Sequence, residues 1–200
     1  CFINYIIKET QQKVHLIAHS WGGVLLASAL ARTPELSKNV HSKTCFGTKR
    51  MVTVKSLEKL FKINVFWNNL APKLANKKGF LDAKSFGIGS DNETVKSLAD
   101  SVVWTKKSDW HDPRDGFDYS QAAKLIDWPP TWHFTGSKDK VLGHAIDVNA
   151  FIKEYNPQAK FTLLSKISGN IHDYDHINIL THPDALNDHF PLLVKWLKSH

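Results

Sequence analysis

Ser20 lies in the stretch "HLIAHSWGGVLLASALA", His15 to Ala31, between a short apolar run and a longer one, with the small residues Ala18, Gly22 and Gly23 around it. A hydroxyl at such a junction can serve as a nucleophile. A sharp turn at the end of a buried strand lifts one side chain clear of the sheet. It also aims the first amides of the following helix at whatever that side chain attacks. The turn presses strand against helix, so the residues two before and two after the serine must be small. Ala18 and Gly22 meet that demand, and Gly23 lets the helix approach closely. The five-residue pattern alone is a weak signal, because Gly and Ser are common residues. The apolar strand before it and the apolar helix after it sharpen the signal into a nucleophile elbow. The competing reading is a serine that only caps the helix.

The string "AHSWGG" resembles the "GHSxGG" elbow of the α/β-hydrolase superfamily, the fold of lipases, esterases, lysophospholipases and thioesterases. Ala18 stands where that family usually has Gly, and a methyl group is a small change. In that family an acid follows the serine along the chain and a histidine comes last. The stretch "WHFTGSKDKVLGHAIDV" resembles the family's strand that ends in Gly and is followed by the acid, which the match places at Asp139. Asp147 is the runner-up, set inside a helical stretch. "HDYDHINIL", 172–180, resembles the final loop that carries the histidine, with the best alignment at His176 and a competitor at His172. His182 and His189 lie further on and fit less well. The resemblance implies that Ser20 attacks, His176 moves the proton, and Asp139 orients the imidazole and stabilises its cation.

The oxyanion formed on the substrate needs two donors. The backbone N–H of Trp21, next to the nucleophile, and its neighbour His19 belong to the elbow. The family's second donor comes from a segment upstream, and only nineteen residues precede Ser20. The resemblance therefore covers the C-terminal portion of the family's domain, and the chain reads as a fragment lacking N-terminal strands.

Those residues need a scaffold. Residues 2–12 place Phe2, Tyr5 and Ile6 at helical spacing. Residues 13–18 read as a buried strand, 22–31 as a helix, and 43–54 as a strand. "TWHFTG" at 131–136 and "AKFTLLS" at 159–165 read as further strands. Helices are expected at 145–156 and 189–200. Strands alternating with helices predict an α/β fold, a mostly parallel sheet flanked by helices. Residues 55–128 break the alternation and fit a helical lid carried between core segments 1–54 and 129–200. In it Phe61, Phe66, Trp67, Leu70, Phe80 and Trp104 either line an apolar pocket or form the lid's own core.

The 200 residues are 42% hydrophobic and 22% charged, which suits one soluble globular domain. The net charge of +7 is spread as pairs such as Lys77-Lys78 and Lys106-Lys107 among acids, without the basic stripe of a nucleic-acid binder. Cys1 and Cys45 give no disulfide framework. No run reaches the length of a membrane span, and a cytoplasmic location is the expectation. No HExxH-like pairing is present, so neither metal nor cofactor is expected.

The sequence-level reading is a serine hydrolase of carboxylic esters, esterase- or lysophospholipase-like. Its partner is a small or lipid-like ester, with peripheral membrane contact assigned to the lid. A thioesterase or peptidase of the same fold and a non-catalytic binding or scaffold protein are the alternatives. A nucleotide-binding domain would rest on "AKSFGIGSD" at 83–91, whose two glycines lack a following phosphate-cradling Gly or Lys.

Overall fold

The computed structural model describes residues 2–86, 91–106 and 109–200. Cys1, Lys107 and the glycine pair Gly87 and Gly89 lie outside the described residues. In chain order the elements are α1 (Phe2–Thr10), β1 (Val14–His19), α2 (Trp21–Arg32), a 3-10 turn (Pro34–Asn39) and β2 (Val40–Phe46). Then follow α3 (Leu57–Lys59), a π-helical stretch (Leu60–Leu70), α4 (Ala71–Lys78), β3 (Phe80–Leu81), β4 (Glu93–Thr94) and α5 (Val95–Lys106). The chain continues with α6 (Tyr119–Lys124), β5 (Thr131–Gly136), α7 (Ala145–Tyr155), β6 (Lys160–Leu164), α8 (Asn178–Thr181), a 3-10 turn (Pro183–Asn187) and α9 (Phe190–Ser199). They form two compact units, Cys1–Arg50 with Asp118–His200, and Met51–Phe117.

The first unit is built on a four-stranded parallel sheet in the order β1-β2-β5-β6. Its central strands are buried along nearly their whole length, as a parallel sheet covered on both faces requires. On one side Phe46, Trp132, Phe134, Leu164, Tyr174 and Ile179 pack together, backed by Leu193 and Trp196 of α9. Phe46 and Phe134 stack at 5.1 Å. Burying one such ring stabilises the fold by about 1.5–3 kcal/mol.

β2 runs over Val40–Phe46 rather than the expected 43–54. Its first half is polar yet buried: Ser42, Lys43 and Thr44 are all inaccessible. Lys43 Nζ donates to the Tyr155 hydroxyl at 3.0 Å and lies 4.2 Å from the centre of that ring. Burial lowers the Lys43 pKa. Gly47, with φ +56°, turns the chain out of the sheet and ends the strand.

The second unit packs Ala71, Ala75, Leu81, Ala83 and Leu98 with Phe66 and Trp67, closed by the short β3–β4 antiparallel pair. Trp67 Nε1 donates to Ser101 Oγ at 3.1 Å, and Trp104 packs edge-on to Trp110 at 6.2 Å. Phe66, Trp67 and Trp104 therefore serve the unit's own core, while Phe61 and Leu70 are exposed. Among the described residues, no helix is long and apolar enough to cross a membrane.

Candidate active site

Ser20 stands at the corner between β1 and α2, with φ +52° and ψ −126°. This is a conformation that an L-residue reaches only at a cost of about 1–3 kcal/mol. The surroundings hold it there. Ser20 N–H donates to Phe46 O at 2.8 Å, and Ser20 O accepts from Gly23 N–H at 3.2 Å. The side chain makes no capping bond to α2, so the reading of a helix-capping serine does not describe it. Gly22 faces the Ala18 methyl at ordinary contact distance, 3.8 Å from where its own Cβ would lie. Gly23 is tighter, since any Cβ there would run into the Thr48 side chain.

The freed hydroxyl meets His176. Ser20 Oγ lies 2.8 Å from His176 Nε2, and His176 Nδ1 lies 2.5 Å from Asp139 Oδ2. The ring is therefore gripped at one nitrogen by a carboxylate and aimed at the serine with the other. Asp139 is fixed in turn, its Oδ1 accepting the Gly143 N–H at 2.8 Å. The His176 and Asp139 side chains are 10% and 3% exposed, so little water competes for these bonds.

Two glycines shape the floor beneath them. A Cβ at Gly47 would stand 2.9 Å from His176 Nδ1, and one at Gly143 would stand 2.5 Å from Asp139 Oδ2 and 2.7 Å from Gly47 Cα. Neither glycine stands out in the sequence. The available signal is Gly47 closing the run "TCFG".

His19 adds a further hold. Its Nε2–H donates to the His176 carbonyl at 2.8 Å, and the two rings sit 4.6 Å apart. Burial, then the neighbouring His176, lowers the His19 pKa, which keeps it a neutral donor. Lys49 is buried nearby. Its burial lowers its pKa, and the charges of Asp139 and Asp147 oppose that shift.

The structure thus brings Ser20, His176 and Asp139 together. Asp147 is buried in the first turn of α7 and does not bond His176. His172 bonds Asp184 instead, His182 Nδ1 accepts from the Asp184 amide, and His189 Nε2–H donates to Ile179 O. The Trp21 amide opens the first turn of α2, where helix N–H groups point outward beside Ser20. A hydroxyl, a base aimed at it and a carboxylate behind the base form an arrangement able to ionise the hydroxyl as it attacks an electrophile.

No family model and no curated protein matches the chain. Solved structures do. The chain is similar to a monoacylglycerol lipase from Paleococcus ferrophilus at 15% identity and TM-score 0.56, over 100% of this chain and 73% of that one. It is similar to a bromoperoxidase from Bacillus anthracis at 15% identity and TM-score 0.55, over 96% and 71% of the two chains. A thermophilic esterase matches at 18% identity and TM-score 0.54, over 98% and 69%. Fold outlasts sequence at such identities, and the chain has the α/β-hydrolase fold.

Proposed function

We propose that this protein is a serine hydrolase of carboxylic esters that works through an acyl-enzyme. The observation that carries the reading is the unbroken path from Ser20 Oγ to His176 at 2.8 Å and on to Asp139 at 2.5 Å. Solved structures with the same fold include a monoacylglycerol lipase and an esterase, which supports the same class.

In the first step Ser20 Oγ attacks the ester carbonyl carbon while His176 Nε2 accepts the hydroxyl proton. The carbonyl oxygen takes up the displaced electron pair, and the Trp21 amide donates to it. Such a donor contributes about 2.7–4 kcal/mol in comparable sites. The tetrahedral centre collapses, the C–O bond to the alcohol breaks, and His176 returns its proton to the leaving oxygen. Water repeats the sequence on the acyl-serine and releases the acid. Asp139 holds the imidazole in the tautomer with its proton on Nδ1 and stabilises the imidazolium between steps. No redox group or metal is needed for this balance.

The substrate reading is an apolar or lipid-like ester. In the second unit Leu57, Phe61 and Val65 recur at helical spacing, and all three are exposed, as is Leu70. This row gives a lid an apolar surface with which to meet acyl chains or the surface of a lipid aggregate.

A fluorophosphonate probe and p-nitrophenyl esters of increasing acyl length test the proposal. Labelling is expected in the wild-type chain and lost in Ser20→Ala and His176→Ala. Ser20→Ala should lower ester turnover by roughly 10⁴-fold or more. A folded wild-type protein that takes no label and turns over no ester overturns the reading.

A further inference from the structure

Beyond the serine site, the loop that carries His176 holds a second cluster. His172 Nε2 and Asp184 Oδ2 are 2.5 Å apart, His182 Nδ1 lies 3.8 Å from the same oxygen, and one donor atom of each residue falls within 4.8 Å of the other two. The two imidazole rings are tilted by 45° with centroids 4.1 Å apart. We propose that His172, His182 and Asp184 form a binding site for one divalent transition-metal ion of the zinc type.

Four observations support the assignment. The first is donor chemistry. Two imidazole nitrogens and one carboxylate oxygen suit Zn²⁺, Co²⁺ or Ni²⁺, whereas Ca²⁺ and Mg²⁺ call for oxygen ligands. The second is spacing. Ligands about 2.0–2.2 Å from a tetrahedral ion stand about 3.3 Å from one another. The 2.5 Å and 3.8 Å separations lie on either side of that figure, so rotations within the two side chains reach it. The third is access. The three side chains are 30–44% exposed, which leaves an entry path and a fourth position for water.

The fourth is rigidity behind the ligands. Tyr174 stands edge-on to both imidazoles, at 6.0 Å from His172 and 6.1 Å from His182, and its hydroxyl donates to Asp188 at 2.7 Å. Its ring is buried and walls the site on the protein side. Binding exchanges two existing contacts for metal bonds: the His172–Asp184 hydrogen bond, and the 3.2 Å bond from the Asp184 amide to His182 Nδ1. Each ligand must present a lone pair, so a proton leaves His172 Nε2 for its Nδ1 or for solvent.

The topology gives the site a consequence. His172 precedes His176 by one short loop segment, and Asp184 lies in the 3-10 turn that follows α8. An ion here ties the two ends of the segment from 172 to 184 together and shortens the free loop that positions His176.

The test uses the whole chain after dialysis against EDTA, with Zn²⁺ added and read by calorimetry, and Co²⁺ added and read by visible absorption. One ion is expected to bind, with the intense ligand-field bands of a tetrahedral cobalt site. At a hundredfold excess over Kd, Tm should rise by roughly 5–10 °C. His172→Ala and Asp184→Asn should each weaken binding by at least about tenfold. Asp184→Asn keeps an oxygen that accepts from His172, so it retains the local fold, and circular dichroism checks both variants. Zn²⁺ that fails to bind, or binds both folded variants as tightly as the wild type, overturns the proposal. Binding is read without substrate, so the result is independent of whether Ser20 is a nucleophile.

Discussion

Two histidines four residues apart on one loop each meet a carboxylate brought from elsewhere in the chain, and the two pairs share one contact length. His176 and Asp139 approach to 2.5 Å, and so do His172 and Asp184. Their surroundings differ sharply. The first pair is 10% and 3% exposed, the second 32% and 44%. In the dry pair the remaining groups are committed, with Gly143 N–H on the second carboxylate oxygen and the Ser20 hydroxyl on the far ring nitrogen. In the wet pair water competes for the same contact, and an exposed pair of this kind contributes about 0–1 kcal/mol. A short contact therefore does not define a role. What the other nitrogen faces, and how little water reaches it, does.

Replacing each carboxylate by its amide puts the largest strain on this contrast. Asp139→Asn is expected to lower kcat for ester hydrolysis by roughly 10⁴-fold, because an amide cannot hold the same tautomer of His176. With metal chelated, Asp184→Asn should change the unfolding free energy, measured by urea titration, by less than about 1 kcal/mol. Equal losses of activity in the two variants would break the contrast.

The next test asks how much of the dry pair's geometry comes from its floor. Gly143→Ala inserts a methyl 2.5 Å from Asp139 Oδ2 and 2.7 Å from Gly47 Cα, both within a packed corner. We expect a loss of about 10²-fold in kcat/KM from displaced groups. The overpacking should also cost about 1–3 kcal/mol in stability. On the wet side Gly169, with φ +91° and nothing within 4 Å of where a methyl would stand, serves as control. Gly169→Ala there should cost only the backbone strain, about 1–2 kcal/mol, and leave turnover intact. A Gly143→Ala enzyme as fast as the Gly169→Ala enzyme would show that the floor does not set the geometry.

The smallest effect concerns pH. His133 is fully buried on β5, where burial holds its pKa well below the ordinary histidine value. Below about pH 6.5 the unfolded chain binds a proton there that the native chain refuses, so stability is present above that pH and lost as pH falls. The slope is at most about 1.4 kcal/mol per pH unit for one proton. Urea titrations above, at and below the ordinary histidine pKa measure it, and His133→Gln should flatten the profile. An unchanged slope in that variant would remove His133 as the cause.

Much of the site can be read from the sequence because the elbow is local. Strand, serine and helix are consecutive, and Ala18, Gly22 and Gly23 advertise the close packing. His176 and Asp139 need the family's chain order, since spacing alone does not favour one of eleven histidines. Other features are hidden by burial. Lys43 reads as a surface residue, yet it is fully buried on β2, whose start at Val40 lies three residues before the expected one. The Tyr155 hydroxyl and ring, brought over from α7, and the Trp128 ring give the Lys43 amine partners inside. The expected end of β2 runs too far because the positive φ of Gly47 stops the strand before "TKRMVTV". His172 with Asp184 is illegible for the opposite reason: their meeting depends on a loop doubling back over a 3-10 turn, and no periodicity records such a return.

The backbone at position 20 carries a final consequence. The corner where the hydroxyl must stand is one that favours a residue with no Cβ, because φ +52° crowds any L side chain. Thermodynamics and usefulness pull in opposite directions at this single residue. The rest of the sheet must be firm enough to hold a serine where glycine would rest more easily. Robustness in β1, β2 and α2 is thus a precondition for having a reactive group at all, and drift that softens those elements would disarm the corner before it unfolded the chain.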